Sequence, residues 1–535
     1  MTMPSIARLL RTGASAIGLG VALSACGGSD APPAPAPTAD SVKQATAYLD
    51  TLVPQWLART GVPGVAVSVV YQGQTVYARG FGVRRADEAG AVDANTVFQL
   101  ASVSKPVGAT VMAAHMPGAI AAEGRPPIDW NTPIERLLPG FVLAYPDTQT
   151  NARLSLGDLY AHRSGLPDHA GDVLEDMGYT RADILQRLRW AALNPYGSYE
   201  YTNFGLTAAA QAMAQAQGTD WATLSANSLY RPLGMSRTSS RFADFAAQAN
   251  RAWGHVQVGI SYDSYGAEPA RYVVQQPPRQ PDAQSPAGGV SSSAADMAQW
   301  MKLVLAQGQW QGQPLASAAA LQAAMTARPG GKYGYGFNAG PDPFGHPSVS
   351  HSGAFVLGAA TSIVLWPQAQ LAITVLTNAQ PRGLAEAIAL AFGERAWGDL
   401  APDAPISDRW LLAMQAQMHG LYKPTGQFAG QPPPADPAPP QALNSYTGRY
   451  TNAYFGVARI EPNAAGDGLD LFIGPASVRY ALRHWNGDTF VFEPRGESAA
   501  PGSVSAVDFT PGQMQIELYS EDLNHGRFTR LSAGS

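Results

Sequence analysis

The chain has 535 residues with a net charge of −5 and a pI near 6.0, and this mildly acidic balance argues against a nucleic-acid partner. Because 45% of the residues are hydrophobic and 9% are aromatic, the chain can bury a large core, which excludes disorder throughout, and its length favours two or more domains. The 55 glycines and 43 prolines indicate many turns and at least one linker, which argues against a pure helix bundle.

The N-terminal segment has the pattern of an export signal. Arg8 and Arg11 precede a stretch of small apolar residues that ends in Leu-Ser-Ala-Cys26, and this ending resembles a bacterial lipobox. We therefore predict a lipoprotein signal peptide over residues 1–25 and lipidation of Cys26, with an ordinary secretory signal as the alternative. Residues 26–40 are predicted to be a lipid-anchored spacer rich in Pro and Ala. Since Cys26 is the only cysteine, disulfides within the chain and Cys-based metal cages are excluded.

A helix and a hairpin are predicted next. Apolar residues recur at helical spacing over residues 41–60, which predicts a helix. Residues 64–71 and 75–80 are β-rich sequence on either side of a turn that contains Gly73, and this arrangement predicts a β-hairpin.

The middle of the chain alternates helical and strand patterns. Helical patterns lie at residues 103–115, 182–193, 204–217 and 293–306. Two strand patterns and a further helical pattern follow at residues 359–366, 371–377 and 384–397. Strands at both ends with helices between them predict a mixed α/β domain over residues 41–400, in which one sheet joins distant segments.

The last part of the chain has a different composition. Residues 401–440 are predicted to hold a helix and a Pro-rich linker, because residues 431–440 consist mostly of proline and alanine. Beyond the linker, short β-type runs lie at residues 456–460, 469–473, 489–492 and 505–509. Their spacing is that of an antiparallel barrel or sandwich, so residues 441–535 are predicted to be an all-β domain.

A serine and a lysine stand three residues apart at the start of a predicted helix. Ser102 and Lys105 would share one face of that helix. A lysine held beside a serine in a partly desolvated place has its ammonium form disfavoured, so it can help to withdraw the hydroxyl proton. Arginine cannot do this. Alone, the spacing also fits a serine N-cap followed by a surface lysine.

Two further segments carry groups that suit the same chemistry. Tyr201 can relay a proton and Asn203 can orient a substrate amide, although a core tyrosine and a capping asparagine are the plainer interpretation. His351 can hydrogen-bond or move protons, and Gly353 would let a substrate backbone approach a strand. A single histidine is also often structural.

In combination these motifs resemble the signature of the serine β-lactamase and penicillin-recognising enzyme superfamily, which is S-x-x-K, then Y-x-N, then K-T-G or H-T/S-G. The matching segments are Ser102-Val-Ser-Lys105, Tyr201-Thr-Asn203 and His351-Ser-Gly353. Supporting segments, interpreted as framework turns, lie at residues 161–167, 230–235 and 286–292. The resemblance covers residues 41–400 and implies an antiparallel sheet flanked by helices, with an inserted helical lobe and the active site between them.

The resemblance implies a role for each catalytic group. Ser102 would be the acylated nucleophile, Lys105 its activating partner and Tyr201 the general base. The backbone N–H groups of Ser102 and Ala354 would form the oxyanion hole. The reaction would be a two-step acyl transfer through a covalent acyl-enzyme, and neither a cofactor nor a metal is implied.

The resemblance also implies a substrate site. Asn203 would contact the substrate amide. His351 would replace the usual lysine of the third motif, and Ser352, Gly353 and Ala354 would bind substrate beside it.

Departures from the family pattern narrow the substrate class. The segment nearest to the class A deacylation motif has Trp190 in place of the glutamate, which disfavours class A. A histidine at position 351 resembles the third motif of D,D-carboxypeptidases and D-aminopeptidases more than that of true β-lactamases, which keep lysine there. We therefore predict a serine hydrolase that cleaves an amide or peptide bond in a small-molecule or peptide substrate. A family VIII-type carboxylesterase, a β-lactamase and a penicillin-recognising sensor with little turnover are the alternatives.

The remaining expectations concern the C-terminal domain and the location of the protein. Residues 441–535 resemble the lipocalin-like β domain appended to some of these hydrolases, and a lid or scaffold beside the cleft is favoured over an internal small-molecule site. The lipid anchor at Cys26 predicts a membrane-bound protein of the bacterial cell envelope that faces the periplasm or the exterior. Gly27 after the cysteine favours the outer membrane. The sequence carries no signal for an oligomeric state.

Overall fold

The computed structural model of the chain describes residues 36–266, 268–401 and 404–532. The predicted signal peptide, Cys26 and most of the predicted spacer lie outside these residues. Within the described ranges, no helix combines the length and the apolar character needed to cross a membrane. The described chain forms helices, a six-stranded sheet, a closed barrel of eight strands and three short two-stranded ribbons.

Helices and strands alternate in the first part of the chain and strands dominate the last. The α-helices of the described residues are α1 (Ala39–Thr60), α2 (Ser104–Ala113), α3 (Thr148–Arg153), α4 (Leu156–Tyr160), α5 (Asp172–Asp176), α6 (Arg181–Arg187), α7 (Asn203–Ala216), α8 (Trp221–Ser225), α9 (Phe242–Ala247), α10 (Ser285–Gly288), α11 (Ala294–Leu305), α12 (Ala318–Ala324), α13 (Leu384–Trp397) and α14 (Arg409–Met418). The strands of the same residues are β1 (Gly64–Tyr71), β2 (Gln74–Gly82), β3 (Val97–Gln99), β4 (His255–Gln257), β5 (Tyr272–Val274), β6 (Ser291–Ser293), β7 (Gln309–Trp310), β8 (Gln313–Pro314), β9 (Asn338–Pro341), β10 (Pro347–Phe355), β11 (Ala359–Trp366), β12 (Leu371–Thr377), β13 (Gly448–Asn452), β14 (Gly456–Pro462), β15 (Leu469–Ile473), β16 (Val478–Asn486), β17 (Thr489–Phe492), β18 (Ser505–Thr510), β19 (Gln513–Ile516) and β20 (Arg527–Arg530).

The central sheet joins the two ends of the predicted α/β domain. Its strands run in the order β2, β1, β12, β11, β10, β9, and every neighbouring pair is antiparallel. Strand β1 pairs with the late strand β12, from Val65 opposite Thr377 to Tyr71 opposite Leu371. Both strands are buried along their whole length, because α1 and α13 cover one face of the sheet and α11 covers the other. The predicted mixed fold with a sheet built from distant segments is confirmed.

Helix α1 begins where local chemistry favours a start. The Thr38 side chain accepts the Ser41 N–H, and the Ser41 hydroxyl accepts the Thr38 N–H, so two otherwise unpaired donors are satisfied. Gly61 ends the helix in a left-handed conformation, with φ of 74°. The helix therefore includes the predicted range 41–60 and begins slightly earlier.

The chain between β3 and β9 contains most of the helical lobe. The helices predicted near 103–115, 204–217 and 293–306 correspond to α2, α7 and α11. The pattern at 182–193 is helical only as far as Trp190, because Ala191 forms a β-bridge with Asp522 of the barrel and the Ala192 N–H donates to the Glu521 carbonyl. From Ala191 onward, pairing with the barrel therefore replaces the hydrogen bonds of a helix.

The strand that carries the third motif is absent from the sequence prediction. His351, Ser352 and Gly353 lie inside β10, between β9 and β11. Its sequence, Pro-Ser-Val-Ser-His-Ser-Gly-Ala-Phe, lacks the run of β-branched and aromatic residues that marks a strand. Burial within the sheet stabilises the strand despite this composition.

The C-terminal strands β13 to β20 close an antiparallel barrel, which decides between the predicted barrel and sandwich. Aromatic rings occupy its interior, and the Phe509 ring centroid lies 4.8 Å from that of Tyr446 and 5.8 Å from that of Phe490. The helix expected within 401–440 is α14, and the Pro-rich stretch runs beside the barrel, where the Gly487 N–H donates to the Ala438 carbonyl.

Candidate active site

Ser102 lies at a sharp turn of the backbone between β3 and α2. The turn is a short 3₁₀ segment, Ala101–Val103, that leads directly into the helix. Ala101 has φ of 46°, a left-handed conformation that is rare for a residue with a Cβ atom. Its side chain packs with Phe355 and Ala359, and this contact helps to hold the turn. Lys105 follows one turn later, on the same side as Ser102 Oγ.

The ammonium group of Lys105 is fully buried and lies among three oxygen atoms. Its Nζ is 3.0 Å from Ser102 Oγ, 2.7 Å from Asn203 Oδ1 and 3.1 Å from the Ala287 carbonyl oxygen. Burial lowers the pKa of Lys105 to about 7, against an opposing effect of the negative charge on Asp172. Near neutral pH a substantial fraction of Lys105 is therefore the neutral amine.

The three contacts match the bonding capacity of a neutral amine. The Asn203 amide oxygen and the Ala287 carbonyl oxygen can only accept, so they take the two N–H groups of the amine. The lone pair of Nζ then faces Ser102, whose hydroxyl proton it can accept. This arrangement would allow Lys105 to act as a general base.

Tyr201 lies just before α7, with its hydroxyl close to Ser102 Oγ. This hydroxyl donates to Oγ over 2.8 Å, and the ring centroid lies 4.5 Å from Lys105 Nζ. Burial raises the pKa of Tyr201 well above its ordinary value of 10. Tyr201 is therefore a neutral phenol near neutral pH. The general-base role that the resemblance implies for Tyr201 requires the phenolate form, and this role stays a prediction.

Asn203 is held at both ends of its amide. While its oxygen accepts from Lys105, its Nδ2 donates to Asp172 Oδ2 over 2.8 Å. His169 Nδ1 donates to the same carboxylate oxygen over 2.7 Å. The contact between Asn203 and a substrate amide stays a prediction. In the described part of the chain, no three His, Cys, Asp or Glu side chains are grouped so that they could hold a metal ion.

His351 is engaged by the protein through both ring nitrogens. Its Nδ1 lies 2.7 Å from the Ser352 carbonyl oxygen, which can only accept, so the proton resides on Nδ1. Its Nε2 accepts from the Tyr333 hydroxyl over 2.9 Å. Burial and the nearby Lys105 lower the pKa of His351 to about 3, so the ring is neutral. The predicted contact of His351 with substrate stays a prediction, and both ring nitrogens are hydrogen-bonded within the protein.

The next three residues of β10 divide between the two faces of the sheet. A Cβ atom on Gly353 would lie 2.2 Å from the Leu100 carbonyl oxygen and 3.0 Å from the Ser102 nitrogen, so only glycine lets the strand approach the nucleophile this closely. The Ser352 side chain lies on the opposite face, beside Glu386 of α13. Ser352 is one of the predicted substrate-binding residues, and with its side chain on that face it can present only its backbone to the cleft. The oxyanion role of the Ala354 N–H stays a prediction.

Two segments interpreted as framework turns belong to the site. Ala287, within residues 286–292, accepts from Lys105, and His162, within residues 161–167, packs its ring 4.5 Å from the Tyr201 ring. The resemblance of both segments to the family pattern was the sequence signal that could have assigned Ala287 and His162 to the site. Asp172 and Tyr333 carried no comparable signal in the sequence.

Comparisons with known proteins cover most of this chain. A family model described as Beta-lactamase matches residues 49–393. Unguisins hydrolase ungD from Aspergillus violaceofuscus is 28% identical over 251 residues, which are 46% of this chain and 42% of that protein. Unguisins hydrolase ungD' from Aspergillus campestris is 26% identical over 428 residues, 75% of this chain and 74% of that protein. Penicillin-binding protein 4* from Bacillus subtilis is 27% identical over 174 residues, 31% of this chain and 35% of that protein.

Two solved structures share the fold. The octameric penicillin-binding protein homologue from Pyrococcus abyssi matches with a TM-score of 0.55 and 18% identity, over 90% of this chain and 99% of its own. The structure of SurE with D-Leu matches with a TM-score of 0.51 and 18% identity, over 92% of this chain and 100% of its own. At these identities the likeness concerns the fold alone.

Proposed function

Because the chain belongs to the Beta-lactamase family of serine hydrolases, we propose that it cleaves an amide or peptide bond through an acyl-enzyme on Ser102. The observation that carries this proposal is the position of Ser102 Oγ, 3.0 Å from Lys105 Nζ and 2.8 Å from the Tyr201 hydroxyl. One neighbour can accept the serine proton and the other can donate a proton, which are the two transfers that acyl transfer to and from a serine requires.

In the acylation step the neutral amine of Lys105 takes the hydroxyl proton of Ser102. Oγ then forms a bond to the substrate carbonyl carbon, and the carbonyl oxygen becomes negatively charged. We assign the stabilisation of this charge to the backbone N–H groups of Ser102 and Ala354, and the close approach of Gly353 to the Ser102 nitrogen supports this assignment.

The breakdown of the intermediate needs a proton for the leaving nitrogen. The Tyr201 phenol, which donates to Oγ, is placed to supply it, and the Lys105 ammonium then replaces the proton of Tyr201. The C–N bond breaks, the amine departs, and the acyl group stays on Ser102. Water repeats the sequence in place of the serine hydroxyl and releases the acid.

The charges around the cleft favour a substrate with a free amine over one with a terminal carboxylate. The neutral His351 ring supplies no positive charge where the usual lysine of the third motif would stand. The carboxylates of Asp172 and Asp168 are near enough to contribute to the raised pKa of Tyr201, so they add negative potential beside it. Among the peptidase types that the sequence favours, we propose the D-aminopeptidase-like one. The names of two relatives as unguisins hydrolases agree with hydrolysis.

The test is a comparison of initial rates of the full chain on three matched substrates. These are D-alanyl p-nitroanilide, its N-acetylated form, and the D-alanyl p-nitrophenyl ester. We expect turnover of the free-amine anilide, slower turnover of the acetylated one, and a loss of at least about 1,000-fold in Ser102→Ala.

Other outcomes would replace the proposal. Ester-only turnover that depends on Ser102 would indicate a carboxylesterase. A stable acyl-enzyme with a penicillin and no turnover of any substrate would indicate a sensor. Full activity in Ser102→Ala would remove the whole assignment.

We also propose that the enzyme acts at the bacterial cell envelope, anchored through lipid on Cys26. The lipobox-like ending of the N-terminal segment and the Pro/Ala-rich stretch after it support this location. The test is membrane fractionation of the full chain and of Cys26→Ala, with mass spectrometry of the N-terminal peptide. Equal membrane association of both proteins would contradict the anchor.

A further inference from the structure

A loop of the barrel reaches the strand wall of the catalytic cleft. Residues 493–504 connect β17 to β18, and within them Glu497 accepts the Val356 N–H over 2.7 Å and the Leu357 N–H over 3.2 Å. These two residues form the turn that follows Ala354 and Phe355 at the end of β10. The Glu497 side chain is only 16% exposed. A barrel carboxylate thus holds the end of the strand that carries the proposed oxyanion group.

The same loop reaches the helical wall of the cleft. Asp176, at the end of α5, accepts the Ser498 N–H over 3.1 Å and the Glu497 N–H over 3.4 Å. Helix α5 begins at Asp172, whose carboxylate holds the Asn203 amide that contacts Lys105. One end of this short helix therefore meets the barrel loop and the other end meets the catalytic groups.

Arg279 links the two walls behind the loop. Its guanidinium pairs with Glu175 of α5, and its Nε lies 3.8 Å from Glu497 Oε2. The same guanidinium lies 5.2 Å from the centre of the Phe355 ring. Arg279, Glu175 and Glu497 are all largely buried, so these contacts between the two walls lie away from solvent.

We propose that Glu497 is a positioning residue for the hydrolytic reaction. It holds the β10–β11 turn so that the Ala354 N–H keeps its place opposite Ser102, and its loop holds α5 so that Asp172 and Asn203 keep theirs. The barrel is then part of the catalytic machinery rather than a separate scaffold. This inference deepens the proposed function and rests on it.

A matched control lies in the same barrel. Glu517 also accepts two backbone N–H groups, from Gln427 over 2.7 Å and from Ala506 over 3.1 Å, and these belong to the barrel and the linker before it. Glu497→Ala and Glu517→Ala therefore remove the same kind of contact, one at the cleft and one away from it.

The reactivity of Ser102 can be measured without knowledge of the substrate, as the rate of labelling of the full chain by a fluorophosphonate. We expect Glu497→Ala to slow labelling by about 20-fold or more, because small displacements of reacting groups are costly. On any substrate that is turned over, kcat should fall while KM changes less than about threefold. Glu517→Ala should stay within about twofold of the native protein. Glu497→Gln keeps one acceptor oxygen and should fall between the native protein and Glu497→Ala.

Four results separate the possible failures. Labelling of Glu497→Ala within twofold of the native protein, with an unchanged melting temperature, would overturn the inference. An equal loss in Glu517→Ala would assign the effect to barrel stability and overturn it as well. If Glu497→Ala does not fold, native-like labelling of Glu497→Gln overturns it. A native protein that the probe does not label at Ser102 would instead contradict the proposed function.

Discussion

The catalytic cleft and the interior of the barrel are both buried, but they are built from opposite kinds of side chain. Around Ser102 the buried groups are polar, and Lys105 is 0% and Asn203 7% exposed. Inside the barrel the buried groups include stacked and edge-on rings such as Phe490 and Phe509. Burial of polar groups is unfavourable unless each finds a partner, whereas burial of rings is favourable outright. The interior of the barrel therefore contributes stability, and the cleft contributes reactivity at a cost in stability.

The largest loss of activity should follow removal of the Lys105 amine. We expect Lys105→Ala to lower kcat by about 1,000-fold, because Ser102 loses its general base. Steady-state rates on the anilide measure this. Lys302→Ala, on the half-buried side of α11, is the matched control and should leave kcat within about twofold. Native-like turnover by Lys105→Ala would show that another group activates the serine.

The next largest effect should come from a methyl group at Gly353. Gly353→Ala places a Cβ atom against Leu100 and the Ser102 nitrogen, so β10 must move and kcat should fall by about 100-fold. Gly266→Ala is the control, because its added Cβ meets no atom within 4 Å. Equal rates for the two variants would mean that the strand is not held against the nucleophile.

Asp172→Asn should have a smaller effect, which is a shift in the pH dependence of kcat/KM. The neutral amine of Lys105 is the active form, so kcat/KM should rise with pH through a pKa of about 7. Since the Asp172 charge raises that pKa, its removal should move the rising limb to lower pH. Asp183→Asn, on α6, should leave the limb in place. A limb that moves to higher pH would contradict this assignment.

The smallest effect on activity should come from the barrel core. Phe509→Ala should lower the free energy of unfolding by about 3 to 5 kcal/mol, because a cavity replaces a buried ring. Below the melting temperature kcat should stay within about twofold. Phe472→Ala, at a partly exposed position of β15, should destabilise much less. If Phe509→Ala lowered kcat as much as Gly353→Ala does, the barrel interior would contribute to reactivity as well as to stability, contrary to this comparison.

Local patterns predicted the elements whose residues repeat at a clear period. Strands at 359–366 and 371–377 and the helix at 384–397 were predicted with the bounds that the structure shows. Strand β10 was missed because its polar and small residues show no such pattern, and the end of the helix predicted at 182–193 was wrong because the barrel pairs with Ala191. Where a distant segment can pair with the same backbone, the spacing of apolar residues alone cannot decide whether that backbone is helical or extended.

The sequence by itself determined that Ser102 and Lys105 stand three residues apart, a spacing that places both side chains on one side of a helical turn. It also determined that Tyr201 and His351 belong to one family pattern with them. Only the tertiary structure decided the protonation and partners of these groups, because burial and contacts between distant segments set them. Three contacts that no local pattern predicts show this. The fold brings Asp172 to Asn203, Tyr333 to His351, and Glu497 to the turn at the end of β10.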